Sequence, residues 1–447
     1  MDVGLIRSGT VVSPGWVGPA DVVLAAGRIA ALGRSVGADG ETVDATGCYV
    51  LPGGIDPHTH LLADIAPASC AALAGGTTTA ISFTLPRPDE SPVDAFVRAR
   101  DDEVPQAATD VALHAYVSRP DALTEEDVET VAGLGATGVK LFTAYRELGL
   151  QASDGIVFRT LRAAGPLGIP VLVHCENGDA IEVLTEELRG QAGARAFAAA
   201  RPPLVEAEAV ARVLVLAELT GSRVYVVHVS TSRSLDAVRA ARRRGVDTVA
   251  EVCVHHLAFD DAAHDRDDAE RFLTVPPLRP RTDLEALWEG LADGTLATVG
   301  SDHGQGRYHP PAADDFTGFP YGILGAQMRV PVALSLGLGR GLPIERLADA
   351  LATAPARTFG LAAKGAIAPG ADADLVVWDP EAEWQVAAED LVDGIGDSPY
   401  EGLRLRGRIR TVVRGGRLAV SEGELVDPGP GRYVRPGTNI PAAASSA

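Results

Sequence analysis

The chain has 447 residues, 46% hydrophobic and 22% charged, with 60 acidic against 39 basic residues and a formal net charge of -21. This is the composition of a soluble globular protein with material for a large core, and its acidity argues against a nucleic-acid or anionic-membrane partner, whose phosphates must be met by cations. No apolar run reaches the ~20 residues of a membrane span, and MDVGLIRSGTVVS at the start carries no secretory signal, so a cytoplasmic location is expected.

Residues 1–50 read as short strands separated by turns: GLIRSGTVV, ADVVLAAGRIAAL and ETVDATGCYV. The same texture returns at 363–426, in GAIAPGADADLVVWD and IRTVVRGGRLAV. Both ends are therefore expected to build one small β-sandwich domain, with a larger domain inserted at 51–362. The tail, 427–447, is rich in Pro, Gly and Ala and is expected to be loosely ordered or draped over a neighbour.

Within 51–362 strand and helix alternate. Candidate strands are CYVLPGGID, TTTAISFT, VALHAYV, GVKLF, PVLVHCE, RVYVVHVS, DTVAEVC and ATVGSDH, separated by stretches at helical spacing such as VEAEAVARVLVLAEL. The pattern predicts an α/β fold, a (β/α)8 TIM-like barrel. An open doubly wound sheet is the alternative, weakened by the lack of a GxGxxG turn after the first strand.

Cys48, Cys70, Cys175 and Cys253 have no CxxC spacing and read as reduced thiols. Only two basic residues are lysines, Lys140 and Lys364; the rest are arginines. Lys364, in AAKGAIAPG, reads as a chance survivor in a polar turn. Lys140 lies in the apolar strand GVKLF, where an ammonium must be used or neutralised.

Polar residues interrupt the barrel strands at equivalent places. His58 and His60 follow the first, Lys140 is in the fourth, and His174, His228 and Asp302 end the fifth, sixth and eighth. Strand ends at that face of a barrel converge on one site. His58 and His60, two apart on extended chain, point the same way and suit one metal ion, and imidazole and carboxylate suit Zn²⁺ or a similar divalent cation. A charged lysine cannot ligate, but burial lowers its pKa, and a neutral amine adds CO₂ to give an anionic carbamate able to bridge two metals. Arginine cannot, which accounts for a retained lysine. His255 and His256, read on the seventh strand, are expected to pack or support, as is His303. His114 reads as core, His264 and His309 as surface or loop, and GADAD at 370–374 as a turn.

The chain resembles the cyclic amidohydrolases of the amidohydrolase superfamily: dihydropyrimidinases and hydantoinases, allantoinases and dihydroorotases. GGIDPHTHL (53–61), GGTTT (75–79), GVKLFTAYRELGLQ (138–151), VHCENGD, VVHVS and GSDHG carry the resemblance in order, and GAIAPGADADLVVWD resembles the return to the β-sandwich. It implies a hydrolase with two divalent ions, Zn²⁺ by expectation. His58, His60 and Asp302 would hold one ion and His174 and His228 the other. N6-carboxylated Lys140 and a hydroxide would bridge them. Asp302 would act as general base and then acid, and Tyr145 would donate to the oxyanion. The backbone of Val275 and the segment Tyr321–Gly322 would hold the ring amides. The implied reaction opens a hydantoin or dihydropyrimidine ring to an N-carbamoyl amino acid. Allantoinase is the alternative. A metal-free scaffold related to dihydropyrimidinase is disfavoured because all six ligand positions are filled, and a mononuclear deaminase is disfavoured by the barrel lysine. A homotetramer or homodimer is implied by the resemblance alone.

The loops depart from the pattern. Leu62 stands where dihydroorotases usually place a carboxylate-binding arginine. Tyr145 favours the hydantoinase branch, whereas GILGAQ (322–327) and SPYEG (398–402) lean towards allantoinases. Only 14 residues separate His60 from Gly75, about ten fewer than the family pattern implies, which predicts a more open mouth and a bulkier substrate.

Overall fold

The computed structural model describes residues 1–34, 39–304, 315–318, 321–426 and 429–437. Eight parallel strands run side by side in chain order: Gly54–Thr59, Thr77–Phe83, Asp110–Tyr116, Val139–Phe142, Val171–His174, Val224–Val226, Thr248–Cys253 and Thr298–Gly300. The sheet closes just past its eighth strand, where Asp302 N donates to His58 O (2.9 Å) and His60 N donates to His303 O (3.0 Å). Ile55, Ile81, Leu172, Tyr225 and Val249 fill the barrel interior. The expected (β/α)8 barrel is therefore observed.

Between the strands run helices such as Glu125–Leu134, Pro203–Thr220, Ser232–Arg243 and Arg281–Ala292. Thr124 and Asp127 form a reciprocal capping box at the start of the first of these, and Gly135, at φ 105°, ends it in the left-handed conformation. Apolar residues on the inner faces of these helices, Val128, Val213, Leu235 and Leu287 among them, join the shell of core around the barrel.

The chain ends meet in a separate nine-stranded sheet, mostly antiparallel. Val3–Ser13 lies at its centre, beside Tyr49–Pro52, which in turn pairs with Leu375–Gln385. The segment CYVLPGGID is thus two strands: Tyr49–Pro52 belongs to this sheet and Gly54–Thr59 to the barrel. No helix among the described residues is long and apolar enough to cross a membrane.

Lys364 does lie in a turn, its N–H donating to Leu361 O, but not as a solvated chance survivor. It is buried, and its Nζ contacts Asp110 (2.6 Å), Asp374 (2.5 Å) and Asp372 (3.1 Å). GADAD is a turn whose aspartates face this amine. Asp110 opens the third barrel strand and also receives Arg414 of the terminal sheet and Arg432 of the tail, so one ionic cluster joins three parts of the chain. The described tail, 429–437, lies along that strand: Val434 N donates to Val111 O (2.8 Å) and Tyr433 Oη to Gly135 O (2.7 Å). His264 is buried, contrary to a surface position, in a short 3-10 turn at Asp261–Asp265. His309 and the rest of the tail lie outside the described residues. His114 is core, bonded to Pro57 O and the Thr137 hydroxyl.

Candidate metal centre

The ends of the barrel strands line an open-mouthed cavity of about 190 Å³. Its wall includes every residue that the family resemblance implies for the site: His58, His60, Lys140, Tyr145, His174, His228, Val275, Asp302, Tyr321 and Gly322. Three of these have unusual backbone. Tyr145 (φ 68°), His228 (φ 37°) and Asp302 (φ 44°) sit in the left-handed region, where a side chain costs energy unless its surroundings enforce it. In each case the chain has just left a barrel strand and turns sharply into the cavity.

The donors fall into two groups. His58 Nε2 and His60 Nε2 lie 3.0 and 3.4 Å from Asp302 Oδ1. His174 Nδ1 lies 2.9 Å from His228 Nε2. Bonds of about 2.0–2.1 Å in a tetrahedron put neighbouring ligand atoms about 3.3 Å apart, so both groups have nearly the spacing that a small divalent ion requires. Burial disfavours charge on His58, but Glu251 and Asp302 outweigh it and raise its pKa to about 9. The carboxylates therefore favour positive charge at this place, which a cation would satisfy as a proton does.

Two carboxylates that sequence reasoning missed orient the imidazoles from behind. Glu251 Oε1 lies 2.6 Å from His58 Nδ1 and accepts from His228 N at 3.0 Å. Its other oxygen accepts from Tyr225 Oη at 2.6 Å. Glu176 Oε2 lies 2.8 Å from His174 Nε2 and is gripped by Arg201 Nη1 at 2.6 Å. Carboxylates bound to the far nitrogen of a histidine fix which nitrogen faces a metal. The available signal was an acidic residue in or just after an apolar strand, Glu251 in VAEVC and Glu176 in VHCE. Asp56 adds a third support, accepting from Ser301 N and His58 N and so tying the first strand to the eighth.

Lys140 is buried, with Phe83 and Phe142 ring centroids 5.0 and 4.9 Å from Nζ. No carboxylate lies within ion-pair distance of it among the described residues. Burial outweighs the pull of Asp302 and Glu251 and lowers its pKa to about 8. This is an amine that loses its proton readily, as carbamate formation requires. Tyr145 is buried too, and burial pushes its phenol well above the usual value, so it remains an O–H donor. Arg201 stacks over its ring at 5.2 Å. Tyr321 lies parallel to Tyr145 with ring centroids 6.3 Å apart. Gly322 has φ 136°, which requires glycine, and its N–H is engaged with Leu273 O.

His255 and His256 are not on the seventh strand, which ends at Cys253. They lie on the short helix Val254–Ala258 that follows it, bonded through Nε2 to the Thr274 hydroxyl and to Pro276 O respectively. His303 accepts from Ala326 N, a supporting position behind Asp302.

The amidohydrolase family pattern matches residues 49–419. The chain is 37% identical over 455 residues to a D-hydantoinase of Geobacillus stearothermophilus, covering 96% of each. It is 38% identical over 457 residues to an allantoinase of Rubrobacter xylanophilus, covering 97% of each. Among solved structures, dihydropyrimidinase from Brevibacillus agri NCHU1002 superposes with a TM-score of 0.92 at 34% identity, covering 97% of this chain and 98% of that one.

Proposed function

Because the chain belongs to the amidohydrolase family, we propose that it hydrolyses a cyclic amide or ureide of the hydantoin or dihydropyrimidine type to an N-carbamoyl amino acid. The observation that carries this reading is the pair of preset donor groups, His58, His60 and Asp302 on one side and His174 and His228 on the other, in a cavity that Lys140 also lines. In the proposal His58, His60 and Asp302 would hold one divalent ion and His174 and His228 the other, with N6-carboxylated Lys140 supplying a further carboxylate, and Zn²⁺ would best match the donor set. Two such ions would lower the pKa of a water and polarise the scissile carbonyl.

The remaining work falls to the protein. Asp302 takes the proton from the attacking water and delivers it to the leaving ring nitrogen. Tyr145 donates its hydroxyl to the oxygen that becomes negative as the carbonyl carbon turns tetrahedral. Backbone groups of Val275 and Gly322 hold the ring amides, with Tyr321 beside them. The short link from His60 to Gly75 leaves room for a large substituent on the ring. The relatives named for hydantoin hydrolysis and the tyrosine at 145 support the hydantoin reading. Ring opening of allantoin is a second reading, favoured by the Rubrobacter relative and by GILGAQ. The same proposal includes a homodimer or homotetramer, which light scattering measures.

A screen of hydantoin, 5-aryl hydantoins, dihydrouracil, allantoin, dihydroorotate and cyclic imides tests the reading. Higher kcat/KM for bulky 5-substituted hydantoins supports it. Preference for allantoin selects the second reading, and no ring opening with any member by metal-loaded protein overturns both.

A further inference from the structure

Behind the cavity, Cys253, His255 and His256 form a second cluster that the reaction above does not use. Each offers a donor atom within 4.8 Å of the others, and all three residues are buried. The Nδ1 atoms of both histidines are buried without a hydrogen-bond partner among the described residues, while their Nε2 atoms are held by Thr274 and Pro276. An orphaned buried nitrogen is costly, and two of them beside a thiol call for a ligand that accepts lone pairs. Burial keeps both rings neutral, the form in which imidazole ligates.

We infer that Cys253, His255 and His256 form an inhibitory site for one thiophilic divalent cation. A sulfur and two nitrogens suit Zn²⁺ or Cd²⁺ and disfavour Mg²⁺ or Ca²⁺. Bonds of about 2.0–2.3 Å would set the final donor spacing once the ion is seated. On binding, the Cys253 S–H bond breaks, its electron pair forms the sulfur–metal bond, and the proton leaves to solvent.

The inhibition follows from position. Cys253 Sγ lies 4.0 Å from Glu251 Oε1, and Cys253 shares a second cluster with Glu251 and His58. That same oxygen holds His58 Nδ1. A cation on the thiolate competes for the Glu251 carboxylate and loosens His58. The binding stands on the cluster alone; the inhibitory consequence rests on the ring-opening reading.

The test is titration of the metal-loaded protein with Cd²⁺ alone. The thiolate-to-Cd²⁺ ultraviolet charge-transfer band reads binding, because the ligands proposed for the catalytic ions contain no sulfur. One equivalent per chain should raise the band and release one proton, and turnover should fall about tenfold, the scale on which disturbing a ligand's support acts. Cys253→Ser should keep basal turnover, lose the band and resist inhibition. His256→Gln should weaken the band's titration about tenfold, while the combined Cys48→Ser, Cys70→Ser and Cys175→Ser protein should retain it. Absence of the band in the wild type, or its persistence in Cys253→Ser, overturns the site. Equal inhibition of wild type and Cys253→Ser overturns the coupling. Should Cys253→Ser fail to fold, unchanged titration of His256→Gln overturns the site by itself. A protein that shows the band but opens no cyclic amide leaves the site standing and removes the ring-opening reading.

Discussion

Glu251 Oε1 lies 2.6 Å from His58 Nδ1 and accepts the backbone N–H of His228 at 3.0 Å, so a single buried oxygen supports one residue from each donor group. Glu251→Gln keeps the shape but removes the charge. Metal affinity should fall about 10- to 100-fold, measured by competition with a chelator. Affinity equal to wild type would show that the carboxylate has no part in holding the imidazole.

Tyr145→Phe removes the hydroxyl and keeps the ring that lies parallel to Tyr321 and against Arg201. Turnover should fall about 10²- to 10³-fold with little change in KM, the signature of a group used only as negative charge develops. A loss confined to KM would make Tyr145 a binding residue only.

Much of this was legible in the sequence because strand ends of a barrel point one way. His58, His60, Lys140, His174, His228 and Asp302 interrupt apolar runs at matching positions, so their convergence follows from the fold. Glu251 interrupts the seventh strand and Glu176 follows the fifth, yet a lone carboxylate names no partner; Glu251 meets His58 193 residues away in sequence. The role of Lys364 is illegible for the same reason. Its neighbours are glycines and alanines, and Asp110, one of the residues that explain it, lies 254 positions off. His255 and His256 were read as strand because an apolar run continues past Cys253, where the backbone in fact turns into a helix.

Lys364 leads to a stability prediction. Burial works against its charge, but Asp374, Asp110 and Asp372 outweigh it and raise its pKa. Lys364→Met leaves three buried carboxylates without their shared cation and should cost about 3–5 kcal/mol. Denaturant unfolding measures this, and a change under about 1 kcal/mol would contradict the structural role.

Carboxylation of Lys140 needs the neutral amine. Its pKa is lowered to about 8 from the ordinary 10.5, so the reactive fraction rises as pH increases through about 8 and is small below about 7. Metal-free protein supplied with Zn²⁺ and bicarbonate should regain activity faster at pH 8.5 than at pH 6.5. Recovery at equal rates, with metal uptake matched, would contradict it.

Lys140→Ala should abolish turnover, and added propionate should restore part of it by placing a carboxylate where the carbamate stood. The most direct measurement is a well-resolved crystal structure of metal-loaded protein with anomalous scattering recorded at the metal edge. The account predicts two metal peaks joined by planar density extending from Lys140 Nζ, one beside His58, His60 and Asp302, the other beside His174 and His228. A bare ammonium at Lys140 in a fully loaded crystal would contradict it.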